Sequence, residues 1–471
     1  MTVEINRKHR LITAAWPEFG RCAPPPRAPA GAYAARLDSV RGAMERLGLT
    51  HLVVYGDREH FANLAWLTGF DPRFEEALLI ISNRAKPLLV VGNECEGYLS
   101  ISPLYRAGGI RSERFQAFSL LNQPRDSSRL LADIFAGEGI GRKSKVGCAG
   151  WKYFADSEIP DALHAVDLPA YMADALRALA GRSGVTNAAA IFMHPDHGLR
   201  TFCSPAEIAY FEYTNILASE GVKRIIFGMR LGMTDFDLAG LAGYSGEPFG
   251  CHMTMVTGKA RDRGLAGPSG EIIRRGKPLA ANVSYWGSNI CRAGWIARGG
   301  RDLPEAARGY VKNFAGVYFE AMAGWFGLLK IGAPGGALER FIRLNLPFKK
   351  FGVFLNPGHL IHLDEWVSSP VYPCSGIKLH SGMAIQVDVI PSSKTYFSTR
   401  MEDGLVLADA SLQRRLGKEY PECLARCLKR REFMRNTLGL PVHGDVLPLS
   451  NMPAIVPPFF LEPENILALE D

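Results

Sequence analysis

Residues 354–370 read FLNPGHLIHLDEWVSSP, bringing Gly358, His359, His362, Asp364, Glu365 and Trp366 into one short run between prolines. Imidazole titrates near neutral pH, and carboxylates take up protons or hold cations, so the run has the make-up of an acid/base or metal site. Two more acids fall in apolar stretches: Asp388 in AIQVDVIP, and Glu402, followed by Asp403, in TRMEDGLVLA. A carboxylate facing a core must be paired, protonated or bound to a cation. His359, Asp388 and Glu402 are of suitable type for a divalent cation. Arg400 alternates onto the same strand face as Glu402 and suits a substrate carboxylate. His252, in FGCHMTM, is either a hydrogen-bonded core histidine or a second base. Asp364 reads equally as a turn residue, Glu365 as the partner of an arginine, and His362 as a donor to a backbone carbonyl. Cys291 has an arginine beside it that could lower its pKa, set against a plain buried thiol.

Positioning such groups takes a framework. Residues 1–32 contain PPPRAPAGA and read as an arm. YAARLDSVRGAMERLG has helical period and ends at Gly48; THLVVYG, ALLIIS (77–82), PLLVVG (87–92) and KVGCAG (145–150) read as strands. The alternation predicts an α/β domain over 33–185, with GRSGVTNAAA as its exit. Ser204-Pro205-Ala206-Glu207 is a capping box with proline at the first helical position. It opens a second domain, 204–410, and its helix carries Ile208, Phe211, Ala218, Val222 and Ile225 along one stripe. Strand-like runs follow at 251–258, 278–287, 384–391 and 399–408, with a long helix over 308–329. The second domain is therefore α+β on a mostly antiparallel sheet. Residues 411–471 form a closing helix over 411–438 and a Pro-rich tail that packs on a surface.

The chain has 471 residues, 47% of them apolar and 21% charged, enough for two domains with real cores. No apolar run is long enough for a membrane span, and MTVEINRKHRLITAAWPEF has no signal-peptide core; the expectation is cytoplasmic, with no membrane partner. The net charge of +7 is spread along the chain. LKRREFMR (428–435) reads as the wet face of a helix, so nucleic acid is not an expected partner. Nine scattered cysteines without a CxxC pair fit reduced thiols. Cys423 and Cys427 read as same-face helix packing.

In order along the chain, five stretches resemble the M24 pita-bread family of methionine and proline-specific aminopeptidases, prolidases and creatinase, in particular its two-domain members. ANLAWLTGF (62–70) resembles the signature of the N-terminal creatinase-type domain, and the helix from Ser204 resembles the family's linker helix. GHLIHLDEW, SGMAIQVDVIP and TRMEDGLVLAD resemble the metal-histidine block, the acidic-ligand strand and the final glutamate block. The resemblance covers about residues 33–410. It implies an α/β N-terminal domain, a pita-bread C-terminal domain and a homodimer. In metal-using relatives two aspartates, a histidine and two acids bind a binuclear centre; matching puts His359, Asp388 and Glu402 in the last three places.

The departures are as informative. Asp388 stands where glutamate is usual. The stretch PLAANVSYWGSNICRAGWIARG, which should hold both aspartates, has Asn282 and Ser284 for the first and Arg292 or Ala293 for the second. It contains no acid at all from Lys277 to Arg301. His362 takes a usual glycine position, and Trp366 replaces the second catalytic histidine of the peptidases. Creatinase also lacks the metal, but its catalytic histidine maps to Leu265, leaving His252 as the nearest substitute. DEW recurs in metal-dependent dimethylsulfoniopropionate lyases, which would make Asp364 a base. Arg73, after LTGFDP, lies near the place of a substrate-binding arginine that creatinase presents from its partner subunit.

These readings add up to a creatinase-like hydrolase of a non-peptide C–N bond in a small, carboxylate-bearing molecule, with no metal cofactor expected. His359 or His252 would shuttle the proton. Glu402, Asp388 and Glu365 would hold a cationic group and Arg400 or Arg73 an anionic one, with His362 and Trp366 also lining the substrate. Two alternatives stand beside it. One is a metal-dependent Xaa-Pro aminopeptidase, dipeptidase or lyase with a single divalent cation at His359, Asp388 and Glu402. The other is a non-catalytic binding module.

Overall fold

The computed structural model describes residues 8–83, 85–260 and 264–470. The chain divides into two compact units: Pro26–Arg200, and the residues up to Pro25 together with those from Thr201 onward. The first strand, β1 (His9–Thr13), belongs to the second of these, so residues 8–25 of the expected arm are part of that unit.

Within Pro26–Arg200, the helix Ala30–Arg46 buries Leu37, Val40, Ala43 and Met44 along one side. It leads into β2 (His51–Gly56), β3 (Ala77–Ser82), β4 (Leu88–Val91), β5 (Arg111–Arg114), β6 (Val146–Ala149) and β7 (Val185–Asn187). They form one six-stranded sheet in the order β5-β4-β3-β2-β6-β7. The central strands are continuous apolar runs because both faces are covered. Val53, Ile80, Val90 and Val146 meet Ile134, Phe135, Met172 and Leu176 in the core. Two edge strands were not foreseen. RSER in β5 is charged and half-exposed, the make-up of an edge that resists further pairing. β7 lies inside GRSGVTNAAA, so that segment completes the sheet, and the unit runs on to Arg200.

The other unit is launched by the helix Pro205–Gly228. Its Ser204 side chain accepts from the Glu207 backbone N–H, and Glu207 accepts in return from the Ser204 N–H, a complete capping box. The expected stripe is buried along its length, and at its start Ile208 and Phe211 share a core with Leu412, Leu416 and Cys427. Next come β8 (Met255–Thr257), β9 (Lys277–Tyr285), β10 (Ser288–Ile296), β11 (His359–Leu360), β12 (Ala384–Gln386), β13 (Ser392–Ser393), β14 (Phe397–Ser398), β15 (Arg400–Glu402), β16 (Gly404–Leu407), β17 (Val446–Pro448) and β18 (Asn465–Leu469). One sheet runs β15-β10-β9-β8 and another β11-β12-β16-β17; β13 pairs with β14, and β18 with β1. All of these pairings are antiparallel.

Several local departures have physical causes. TRMEDGLVLA is two strands in two sheets, broken at Asp403, whose carboxylate is drawn away to Arg292. The expected helix over 308–329 opens as a π-turn, Val311–Ala315, before turning α at Gly316. The closing helix is split in two at Pro421, which cannot continue the first but suits the first turn of the second. In the Pro-rich end residues 446–460 are buried throughout, and β17 and β18 lie within it.

Candidate active site

Gly358 takes φ +114°, and a Cβ there would crowd the Trp325 indole, whose N–H donates to the Pro357 carbonyl at 2.9 Å. Only glycine suits this corner, which delivers His359 into β11 opposite Gln386. His359 is fully buried. Its ring stacks on Trp366 with centroids 3.9 Å apart, and its Nδ1 lies 3.2 Å from the Leu360 carbonyl. The other ring nitrogen, Nε2, faces Glu365 Oε1 at 3.4 Å and Asp388 Oδ2 at 3.9 Å. Burial opposes protonation of this imidazole, but the two carboxylates outweigh it, and the pKa stands above the ordinary value. Glu365 is the reciprocal case: burial pushes it up, the imidazole pulls harder, and its pKa is lowered.

The floor of the site is the sheet β15-β10-β9. Residues directly opposite one another in antiparallel strands project to the same face. Asn282 on β9 pairs with Cys291 on β10, which pairs with Glu402 on β15, so the three form a row. Asn289, two residues before Cys291, shares that face. Its amide donates to Glu402 Oε1 at 2.7 Å and accepts from the Asn282 amide at 2.9 Å. Asn289 also reaches Glu365 Oε1, at 3.4 Å. Arg400 lies beside Glu402, Nη1 to Oε2 3.9 Å. Burial raises the pKa of Glu402 well above normal, and Asp388 raises it further against the pull of Arg400. Asp388 is also raised, by burial above all.

This register sorts the two residues expected at the second aspartate position: Ala293 shares the face of Cys291 and Glu402, and Arg292 does not. Trp286 and Gly287, the latter at φ +79°, make a two-residue turn between β9 and β10, and that tight hairpin brings Cys291 into the row. Arg292 points to the other face, where it binds Asp403 and the carbonyls of Met452 and Ile455. Cys291 is no activated thiol: burial lifts it to about 12, more than Arg400 lowers it.

His359, Glu365, Asp388, Glu402, Arg400 and Trp366 thus form one neighbourhood, while His362, His252 and Asp364 make their contacts elsewhere. His362 is buried with Nε2 3.3 Å from Glu207 and its ring edge-on to Phe211, so it braces the start of the linker helix. His252 is exposed, with Nε2 3.1 Å from the Leu265 carbonyl. Asp364 is half-buried in the turn, where its carbonyl accepts the His362 N–H. Arg73 belongs to the Pro26–Arg200 unit, 3.1 Å from Asp71 and against Tyr98. Asn289 and Gln386 were missed. An amide in a strand carries no signal in sequence, and only the hairpin register brings Asn289 to the acids.

A binuclear metal centre of the family type does not fit this donor set. Asn282 Oδ1 accepts from both the N–H and the hydroxyl of Thr254, and its amide nitrogen is spent on Asn289. Cys291 offers a protonated thiol, so neither aspartate position presents an anionic oxygen. Among the described residues, the group of three such side chains with ligand atoms within 4.8 Å of one another is Glu212, Cys423 and Cys427, not His359, Asp388 and Glu402. That other group does not suit a cation either. Both Glu212 oxygens are held by guanidinium groups, Arg426 at 2.6 Å and Arg430 at 2.8 Å, leaving the thiols as packing.

No family model and no curated protein sequence matches the chain. Solved structures do. A Xaa-Pro dipeptidase from Bacillus anthracis is similar over 80% of this chain and 96% of its own, with TM-score 0.60 and 13% identity. The prolidase from Pyrococcus horikoshii gives TM-score 0.61 and 15% identity over 79% and 95%. The N-terminal domain of the FACT complex subunit SPT16 from chickpea gives 0.56 and 14% over 80% and 94%. The chain therefore has the two-domain pita-bread fold, an N-terminal α/β domain followed by the pita-bread domain, as found in prolidases and Xaa-Pro peptidases.

Proposed function

We propose that this protein hydrolyses a C–N bond in a small, carboxylate-bearing molecule, using His359 and Glu365 as its proton-handling pair. Xaa-Pro dipeptides are the first substrates to test, because the peptidases named above are dipeptidases of that kind. The observation that carries the reading is the 3.4 Å contact of Glu365 with an imidazole clamped between Trp366 and the Leu360 carbonyl. A clamped imidazole aims Nε2 at one point, as proton transfer requires. Glu365 takes a proton from water as the water oxygen bonds to the substrate carbon. His359 gives its Nε2 proton to the nitrogen as the C–N bond breaks. Transfer from Glu365 to His359 then restores the pair. Arg400 holds the substrate carboxylate, and Asn289 keeps Glu402 aligned beside it.

A second reading is favoured by the peptidase neighbours themselves: an Xaa-Pro dipeptidase in which His359, Asp388 and Glu402 close on a single divalent cation. One experiment separates the two. Purified protein is analysed for metal and assayed with Xaa-Pro dipeptides and with N-carbamoyl and guanidino acids, before and after chelation. Chelator-resistant turnover supports the first reading. Turnover that follows stoichiometric Zn, Mn or Fe supports the second. Binding without turnover under either condition would leave a non-catalytic binding module.

A further inference from the structure

Just before the site, the segment GALERFIRLNLPFKKFGVFLNP (336–357) packs a second kind of information into one surface feature. The helix Gly335–Asn345 is followed by a short helix, Phe348–Phe351, and the chain then enters Gly358 and His359. Leu344, Phe348 and Phe354 stand out from the surface at 62%, 65% and 74% exposure, with Leu355 also exposed. Among them lie the exposed cations Arg340, Arg343, Lys349 and Lys350. The segment's one acid, Glu339, is already 3.2 Å from Arg343. Large apolar side chains this exposed are not explained by the packing of the unit, whose core lies beneath at Leu338, Ile342, Leu346 and Phe351.

We propose that this protrusion docks on an anionic membrane surface. Phenylalanine and leucine side chains would enter the headgroup boundary while lysine and arginine pair with lipid phosphates. Two observations favour that occupant. Protein segments are received in a groove or on a free strand edge, whereas this feature consists of two short helices and a turn with its apolar residues projecting. Its exposed cations, Arg340, Arg343, Lys349 and Lys350, outnumber its one acid, which Arg343 already holds, so the feature complements an anionic surface. Attachment is to the surface only, since no helix among the described residues is long and apolar enough to cross a membrane. The inference departs from the sequence expectation of no membrane partner and is independent of the reaction proposed above.

The test is sedimentation of the full chain with vesicles of phosphatidylcholine alone and of equimolar phosphatidylcholine and phosphatidylglycerol. Binding is expected to the anionic vesicles only and to weaken with salt. Lys349→Glu with Lys350→Glu should lower it roughly tenfold or more. Phe348→Ser with Phe354→Ser should lower it too, with circular dichroism and melting unchanged because these residues are exposed. Failure to bind anionic vesicles, or equal binding by both variants, would overturn the proposal. So would light scattering that shows a dimer split by Phe348→Ser with Phe354→Ser, which would assign the patch to a second copy. Retention on soluble polyglutamate that ignores the phenylalanines would also overturn it.

Discussion

Arg292 Nη2 and Asp403 Oδ2 lie 2.7 Å apart on the reverse of the strand pair whose front carries Cys291 and Glu402. The pair is buried and also grips the C-terminal strap: Asp403 accepts from the Ala454 N–H, and Arg292 donates to Met452 and Ile455. Asp403→Asn or Arg292→Met alone leaves an uncompensated buried charge and should cost about 3–5 kcal/mol. Urea unfolding of each variant measures this. A double replacement by apolar residues should cost less than either single change.

Two substitutions should restore a metal-binding row. Asn282→Asp with Cys291→Asp places carboxylates beside Glu402 at positions that now carry an amide and a protonated thiol. The variant should hold Mn or Zn through dialysis where the parent does not, as read by elemental analysis. A parent that itself retains stoichiometric metal would remove the acid/base proposal.

For the proton-handling pair, Glu365→Gln and His359→Gln should each lower kcat roughly 10²- to 10⁴-fold on whichever substrate is turned over. His362→Gln serves as the control. It faces Glu207, so it should alter stability more than kcat.

The N-terminal arm should matter to the unit that it joins. Trp16 is buried edge-on against Phe227, and its indole N–H donates to the Pro463 carbonyl at 2.9 Å. Trp16→Ala should destabilise that unit by about 3–5 kcal/mol, visible in thermal or chemical unfolding.

A pH effect is expected in the Pro26–Arg200 unit, where Asp57 faces the His60 ring at 3.1 Å. Burial alone would raise Asp57, but hydrogen bonds from His60 and the nearby backbone outweigh it and bring the carboxyl to about 2. The His60 pKa is raised, chiefly by its bond to Asp57. The aspartate's contribution is therefore present above the ordinary aspartate range and lost as pH falls toward 2. The histidine's is full below its ordinary value and lost as pH rises past the raised one. Asp57→Asn should lower the melting temperature most between about pH 4 and 6.5, and less on either side. A difference that does not change with pH would contradict this.

Much of the framework was legible because local rules and tertiary packing agree there. The capping box at Ser204–Glu207 and the apolar runs of β2, β3, β4 and β6 need no distant partner to be recognised. His359, Asp388 and Glu402 were legible by residue type and order. What could not be read was register. Deciding between Arg292 and Ala293 required knowing that the chain reverses at Trp286-Gly287, since a shift by one residue sends every side chain to the opposite face. His362 illustrates a second limit: a histidine in an active-site block looks the same whether it faces substrate or the first turn of a buried helix.

The pairing of β1 with β18, Leu11 opposite Leu467, also sets an order of assembly. Pro26–Arg200 is continuous in sequence and is synthesised whole before the helix at Pro205 exists. The other unit holds its first strand in waiting until residues 465–469 have left the ribosome. The smaller unit therefore has its whole sheet available before the larger unit can close its β1–β18 pair.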